Sequence, residues 1–148
     1  MKLLLDAMCG TLAVYCRMCG HDTAYALDRG VENDDRLRDL AREEGRTLVT
    51  RDRELAARAE RSVLLESRDV REQLRELASG GIALDLADEP ARCGRCNGAL
   101  ESTPEDGATP EYAPDPSECR VWRCADCGQC FWKGSHWDRV EATLSDVA

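Results

Sequence analysis

Short apolar runs typical of β-strands alternate with stretches of helical periodicity over the first 89 residues, and this alternation constrains the fold more than any other feature of the chain. Such a pattern is expected of a parallel sheet covered by helices on both faces. The sequence therefore predicts an α/β domain over residues 1–89. Its predicted strands are residues 3–5, 22–26, 47–50 and 63–65.

Capping residues mark the ends of the predicted helices. The first helix ends at Gly20, Asn33 or Asp34 is expected to cap the second, and Gly45 stops that helix just before the third strand. Further helices are predicted over residues 52–59 and 69–78.

The last third of the chain contains two C-x-x-C motifs, formed by Cys93 with Cys96 and by Cys124 with Cys127. This arrangement supplies four thiolates to one tetrahedral zinc ion. Because the segment has too little apolar content to fold easily alone, the free energy of metal binding would become folding free energy. We therefore predict a second unit over residues 90–148, a zinc ribbon with a structural zinc and a C-terminal helix.

Other roles for these cysteines fit the sequence less well. Disulfides are not expected in a reducing cytosol, and four cysteine ligands would leave a catalytic zinc no open coordination position. Cys119 and Cys130 lie outside the two motifs, as spare ligands or, in our interpretation, as packing thiols.

The rest of the predicted ribbon consists of a loop, two short strands and a helix. Residues 101–118 hold four of the five prolines and no strong apolar run, which predicts a solvated loop. Short strands are predicted at 121–123 and 131–133. Trp137, Val140, Leu144 and Val147 recur at helical spacing, so we expect a final helix that docks on the body of the protein.

Three further cysteines lie near the amino end. Cys16 and Cys19 also have the C-x-x-C spacing, which raises a thiol-redox hypothesis. However, both residues and Cys9 lie on or beside the apolar stripe of the first helix, where a free cysteine behaves as a small hydrophobic residue. We favour the packing role.

Acidic residues follow two of the predicted strands, at Asp6 and Asp52. The carboxyl ends of parallel strands meet at the sheet edge where open α/β folds bind ligands, and Asp34 at the start of the second helix would join them there. Carboxylates select Mg²⁺ or Mn²⁺, which neutralises a phosphodiester and lowers the pKa of an attacking water. The alternative is that each aspartate only caps a helix.

The net charge of −9 argues against a general electrostatic attraction for nucleic acid, although it does not exclude a nuclease. Carboxylates outnumber basic residues 29 to 20, and only two of the basic residues, Lys2 and Lys133, are lysines. Such a surface suits a cytoplasm rich in counterions, so we hypothesise a halophile-like protein.

Arginines form a local basic stripe that could position phosphates beside the acids. Arg51 and Arg53 flank Asp52, and three more arginines share one side of the helix over residues 69–78. The alternative is that these arginines pair with nearby glutamates on a solvated helix face. The three helix arginines are Arg68, Arg71 and Arg75, and the expected glutamate partners are Glu54, Glu72 and Glu76.

Four segments of the chain resemble the PIN-like ribonuclease domain family named after the C-terminal part of the Mut-seven exonuclease, and together they span nearly the whole chain. The segments are D-A-M-C-G-T-L-A-V-Y-C-R-M-C-G-H-D-T at 6–23, D-D-R-L-R-D-L-A-R-E-E-G-R-T-L-V-T-R-D at 34–52, R-C-G-R-C-N-G-A-L at 92–100 and W-K-G-S-H-W at 132–137.

The resemblance implies a PIN-like α/β domain followed by a zinc ribbon, with Mg²⁺- or Mn²⁺-dependent ribonuclease activity. It implies Asp6, Asp34 and Asp52 as the metal-binding acids, with Asp35 as the alternative for the middle position. Asp69 is the candidate for a fourth acid, and Arg51 is an accessory candidate.

The function that we expect is therefore that of a metal-dependent endoribonuclease. The alternative is a non-catalytic RNA- or ribosome-binding module with a structural zinc ribbon, and DNA instead of RNA is a further possible substrate. No signal-peptide core and no apolar stretch of membrane-spanning length is present, so we expect a cytoplasmic protein without membrane association.

Overall fold

The computed structural model describes residues 1–147, and a buried strand from the first residues of the chain lies inside its main sheet. This strand, β1 (Lys2–Leu5), pairs in parallel with β2 (Asp22–Tyr25) on one side and β3 (Thr47–Thr50) on the other. β4 (Ser62–Leu64) pairs in parallel with β3, so the order is β2-β1-β3-β4. The all-parallel sheet confirms the predicted α/β class.

Helices cover both faces of the sheet, as the alternating pattern predicts. Leu3 and Leu5 of β1 belong to one apolar cluster and Leu4 belongs to the other, because successive side chains of a strand point to opposite faces. The four helices of this part are α1 (Gly10–Met18), α2 (Asp34–Glu44), α3 (Arg53–Arg58) and α4 (Val70–Ser79). Gly45 ends α2 in the left-handed conformation, at φ 66°.

The second half of the chain forms an antiparallel sheet and a last helix. β5 (Leu100–Ser102), β6 (Trp122–Cys124) and β7 (Cys130–Phe131) pair in the order β5-β6-β7, and α5 (Ser135–Val147) follows. β6 and β7 agree with the predicted strands to within one or two residues. β5 was not predicted, because two of its three residues are exposed and the third is only half-buried, so its sequence has no apolar alternation.

α5 docks on α4, one of the helices that cover the main sheet. Val140, Leu144 and Val147 lie in the same apolar cluster as Leu74 and Leu77 of α4. The expectation that the last helix docks on the body is therefore confirmed, while the division of the chain after residue 89 stays a prediction.

Polar contacts hold the first cysteine motif against β2, the edge strand of the main sheet. Asn97 accepts a hydrogen bond from the backbone N–H of Thr23 at 2.8 Å and donates one to the carboxylate of Asp22 at 2.7 Å. Arg17 of α1 is buried and donates to the carbonyl oxygens of Thr23 and Gly94. The ribbon thereby covers an edge that would otherwise expose unpaired backbone groups.

Among residues 1–147, no helix combines the length and the apolar character needed to cross a bilayer.

We expect Leu144→Ala to lower the free energy of unfolding by about 2 to 4 kcal/mol, because it leaves a cavity where α5 meets α4. Leu144 is only 5% exposed, whereas the neighbouring Glu141 is exposed, so Glu141→Ala serves as the control and should change stability little. Urea denaturation followed by circular dichroism measures both. Equal effects of the two substitutions would contradict the docking of α5.

Candidate functional site

The two C-x-x-C motifs meet and bring four thiols together. The Sγ atoms of Cys93, Cys96, Cys124 and Cys127 all lie within 4.8 Å of one another. The Cys93 and Cys127 sulfurs are 3.6 Å apart, and those of Cys96 and Cys124 are 3.5 Å apart. Four convergent thiolates can bind a structural metal such as zinc.

The backbone of the two motifs accounts for this convergence. Gly128 adopts φ 78°, as a tight turn at the second motif requires. At the first motif the left-handed residue is Asn97, at φ 73°. Gly98 is needed for space, because a Cβ there would lie 2.7 Å from the Cys124 sulfur.

Cys96 and Cys124 differ in how readily they ionise. Burial raises the pKa of Cys96 to about 12. Burial also acts to raise the pKa of Cys124, but hydrogen bonds from the backbone N–H groups of Cys127 and Asp126, helped by the neighbouring thiols, lower it to about 7. The backbone N–H groups of the second motif therefore favour the ionised form of Cys124.

The remaining cysteines show no such arrangement. Burial raises the pKa of Cys9 to about 11 and those of Cys16 and Cys19 to about 12, which keeps these thiols protonated and weakly nucleophilic at neutral pH. This supports the packing role over redox chemistry. Cys119 and Cys130 lie outside the group of four.

Asp6 follows β1 at the carboxyl edge of the main sheet. Its Oδ1 accepts a hydrogen bond from the backbone N–H of Ala7 at 2.7 Å, so it caps the short 3₁₀ helix Ala7–Cys9. Its Oδ2 accepts a hydrogen bond from the hydroxyl of Thr50 at 2.7 Å. Each carboxylate oxygen retains a lone pair for a further partner.

Asp52 follows β3 at the same edge and caps α3, where its Oδ1 accepts a hydrogen bond from the backbone N–H of Leu55 at 3.1 Å. Its own backbone N–H donates to the Thr50 hydroxyl at 3.0 Å. The buried Thr50 side chain therefore connects the acid after β1 with the segment that carries the acid after β3.

Thr50 was not among the site residues predicted from the sequence. Thr50 is 0% exposed, and a threonine at the end of a strand is ordinary in composition. The only sequence clue was its position two residues before Asp52, where a threonine hydroxyl can bind a backbone N–H of the following turn.

Asp34 is the first residue of α2, and this amino-terminal end of the helix lies at the carboxyl edge of the sheet. It is exposed, and among residues 1–147 its carboxylate has no hydrogen bond or ion pair within the protein. Its neighbour Asp35 accepts hydrogen bonding from Arg58, which lowers the pKa of Asp35. Asn33, not Asp34, provides the helix cap.

Asp69 caps α4 and accepts a hydrogen bond from the backbone N–H of Arg71 at 2.9 Å. Capping is thus an actual role of Asp6, Asp52 and Asp69. Within the described part of the chain, the four cysteines are the only group of three or more cysteine, histidine or acidic side chains whose donor atoms lie within 4.8 Å of one another. The three predicted metal-binding acids lie at the same edge of the sheet, but their carboxylate oxygens are not all within 4.8 Å of one another.

The arginines near the acids fall into two groups. Arg53, Arg71 and Arg75 form ion pairs, with Glu66, Asp146 and Glu72 respectively. Of the glutamates expected from the sequence, only Glu72 is such a partner. Within residues 1–147, Arg51 and Arg68 donate no side-chain hydrogen bond and form no ion pair, and the Nε of Arg51 is buried without a partner.

Comparison with known proteins identifies one family. The family model described as the Mut7-C RNAse domain matches residues 1–144, which is nearly the whole chain. The resemblance drawn from the sequence motifs is thereby confirmed. No curated protein and no solved structure matches the chain.

We expect the purified protein to contain zinc, and Cys93→Ser and Cys124→Ser to lose the metal and lower the thermal unfolding temperature, because each removes a ligand from a cluster on which the ribbon depends. Atomic emission measures the metal and circular dichroism the unfolding. Cys119→Ser is the matched control and should keep the metal. Zinc-free protein whose unfolding is insensitive to a strong chelator would contradict the assignment.

Proposed function

The chain belongs to the Mut7-C RNAse domain family, and on that premise we propose that it is a metal-dependent endoribonuclease which hydrolyses RNA phosphodiester bonds at an acidic site. The family indicates a ribonuclease-type function with RNA as the substrate. The proposal goes further in assigning the site to Asp6, Asp34 and Asp52 and the metal to Mg²⁺ or Mn²⁺.

One observation carries this proposal. Asp6 and Asp52 follow adjacent parallel strands, and the hydroxyl of Thr50 binds both the Asp6 carboxylate and the Asp52 backbone. Helix capping alone would not require a buried side chain that links two caps on different strands. Such a link is what an acidic site needs if its carboxylates are to keep a fixed separation.

The candidate ligand atoms are carboxylate oxygens, which is the type of ligand that binds a hard divalent cation. Carboxylate oxygens are the ligands that Mg²⁺ and Mn²⁺ prefer, and Asp6 and Asp52 retain unused lone pairs after capping. Asp34 is favoured over Asp35 for the middle position, because Asp35 is engaged by Arg58. When bound, the cation would neutralise the phosphodiester and lower the pKa of an attacking water.

The residues of the chain then have separate tasks. Asp6 and Asp52 would hold the cation from fixed strand ends, with the orientation of Asp6 set by Thr50. Asp34, exposed at the start of α2, would supply the third carboxylate. Asp69 and Arg51 are accessory candidates at the same edge.

A second candidate function is a non-catalytic RNA- or ribosome-binding module stabilised by the zinc ribbon. The capping hydrogen bonds of Asp6, Asp52 and Asp69 favour it, as does the absence of a closed group of acids among the described residues. DNA as the substrate, a cytoplasmic location and adaptation to high salt also stay predictions.

We expect Asp6→Asn and Asp52→Asn each to abolish Mn²⁺-dependent cleavage of a labelled single-stranded RNA, because each removes a charge that holds the cation. The amide oxygen can still accept the capping hydrogen bond of each residue. In Asp6→Asn the amide NH2 then faces the Thr50 hydroxyl, which can accept a hydrogen bond from it. The thermal unfolding temperature should therefore stay unchanged or rise as repulsion is removed. Gel analysis of the products measures cleavage.

The matched control for these variants is Asp106→Asn, which makes the same charge change at an exposed residue of the loop between β5 and β6. Cleavage that survives in both Asp6→Asn and Asp52→Asn would contradict the assignment. Wild-type protein that binds RNA, does not cleave it and is not stabilised by Mn²⁺ would establish the binding module instead.

We expect Thr50→Val to slow cleavage by about 10- to 100-fold, because it removes the hydroxyl that orients Asp6 while keeping the shape of the side chain. Thr50→Ser should restore most of the rate. Thr47→Val is the control: Thr47 lies on the same strand, is buried and forms no side-chain hydrogen bond within residues 1–147. Equal rates for Thr50→Val and Thr47→Val would remove Thr50 from the site.

A further inference from the structure

A cleft of about 370 Å³ opens beside the acidic edge of the main sheet. Its volume lies in the range of small-molecule binding sites. Arg51, Arg68, Gln73 and Thr11 supply its polar lining, and Met8 and Val70 supply apolar surface. Within the described residues, no aspartate or glutamate lines it.

The charge in this cleft is not balanced by the protein. Arg51 and Arg68 have no carboxylate partner in residues 1–147, although the chain has an excess of acids and the neighbouring Arg53, Arg71 and Arg75 are all paired. The Nε of Arg51 is buried without a hydrogen-bond acceptor. A buried donor without a partner is costly, so an acceptor from outside the chain would bind here favourably.

The cleft also contains a polar group that is preorganised. Gln73 is only 6% exposed, and its Nε2 donates to the carbonyl oxygen of Ser67 at 2.9 Å, which fixes the orientation of the amide. The second amide hydrogen on Nε2 has no acceptor in residues 1–147. Two guanidinium groups and an oriented amide form a donor set suited to a phosphate.

The cleft adjoins the acids directly. Arg51 lies between Thr50 and Asp52, and Cys9, which also lines the cleft, feels the charges of both Asp6 and Arg51. An RNA strand whose scissile phosphate lies at the acids would therefore place another of its phosphates at the cleft. Met8 is 72% exposed and provides apolar surface for a base or ribose.

We propose that this cleft binds a phosphate of the RNA strand other than the one that is cleaved, with Arg51 and Arg68 as its principal ligands. The inference rests on the proposed ribonuclease function for the identity of the strand. It adds a substrate-binding site that lies outside the acidic cluster and does not depend on the catalytic cation.

Binding of a labelled single-stranded oligouridine, measured by fluorescence anisotropy at several KCl concentrations without added divalent ion, tests the proposal. We expect Arg51→Gln and Arg68→Gln each to weaken binding about tenfold, the loss expected for a charge-assisted hydrogen bond to phosphate. Each should also reduce the slope of log affinity against log salt by about 0.7, because one phosphate contact is lost. Arg68→Lys should recover part of the affinity.

The matched controls are Arg53→Gln and Arg71→Gln, which remove the same charge from arginines that are already paired. Thermal unfolding checks that each variant is folded, and Arg68, being exposed, tolerates substitution even if Arg51 does not. A 5′-phosphorylated and a 5′-hydroxyl oligouridine distinguish the source of the phosphate. If the cleft variants lose affinity for both oligonucleotides, the bound phosphate is an internal one. If they lose affinity only for the 5′-phosphorylated oligonucleotide, the bound phosphate is the terminal one.

Wild-type protein that does not bind, or cleft variants that lose no more affinity than the controls, would overturn the proposal. Such a result would leave the ribonuclease function standing if Asp6→Asn still abolished cleavage. Conversely, binding that depends on the cleft arginines in a protein that never cleaves RNA would remove the proposed function and leave the phosphate site.

Discussion

The parallel pairing of β1 with β3 is the constraint on which the rest of the candidate site depends. Leu5 lies opposite Val49, and the backbone N–H of Asp6 donates to the carbonyl oxygen of Val49 at 2.9 Å. This register brings Asp6 level with Thr50, so that one hydroxyl can reach both strand ends. A slip of one residue would place the Thr50 side chain on the face opposite Asp6 and would exchange the leucines of β1 between the two apolar clusters. The hydrophobic core and the geometry of the acids are therefore specified by the same hydrogen bonds.

The cluster of four cysteines is linked to that sheet by polar contacts. Asn97 follows Cys96 directly, and its left-handed backbone turns the side chain onto β2, where it satisfies the Thr23 N–H. Asp22, which also contacts Asn97, accepts hydrogen bonding from the buried Arg46 at 2.9 Å. A change in the first cysteine motif therefore reaches the edge strand beside β1 through two hydrogen bonds.

The features that could be predicted from the sequence are those for which burial or residue spacing produces a pattern over a short stretch of the chain. The strands of the main sheet, the stop of α2 at Gly45 and the four cysteines were all predicted, because each depends on residues close in the chain. β5 was missed because an exposed edge strand carries no apolar period. The link through Thr50 and the choice of ion-pair partners were missed because they depend on which elements become neighbours in space. Arg71, for example, pairs with Asp146, which lies 75 residues away.

Capping and phosphate binding are linked at one dipeptide. Successive side chains at a strand end point to opposite faces, so proximity in the sequence alone does not pair Arg51 with Asp52. Here Asp52 points its Oδ1 at the N–H of Leu55 and forms no ion pair with Arg51. The cap therefore fixes the acid at the strand end and at the same time leaves the guanidinium of Arg51 available in the cleft. Asp52 and Arg51 are adjacent in the sequence but are available to different groups of the substrate. A net charge of −9 is therefore compatible with local binding of an anionic strand.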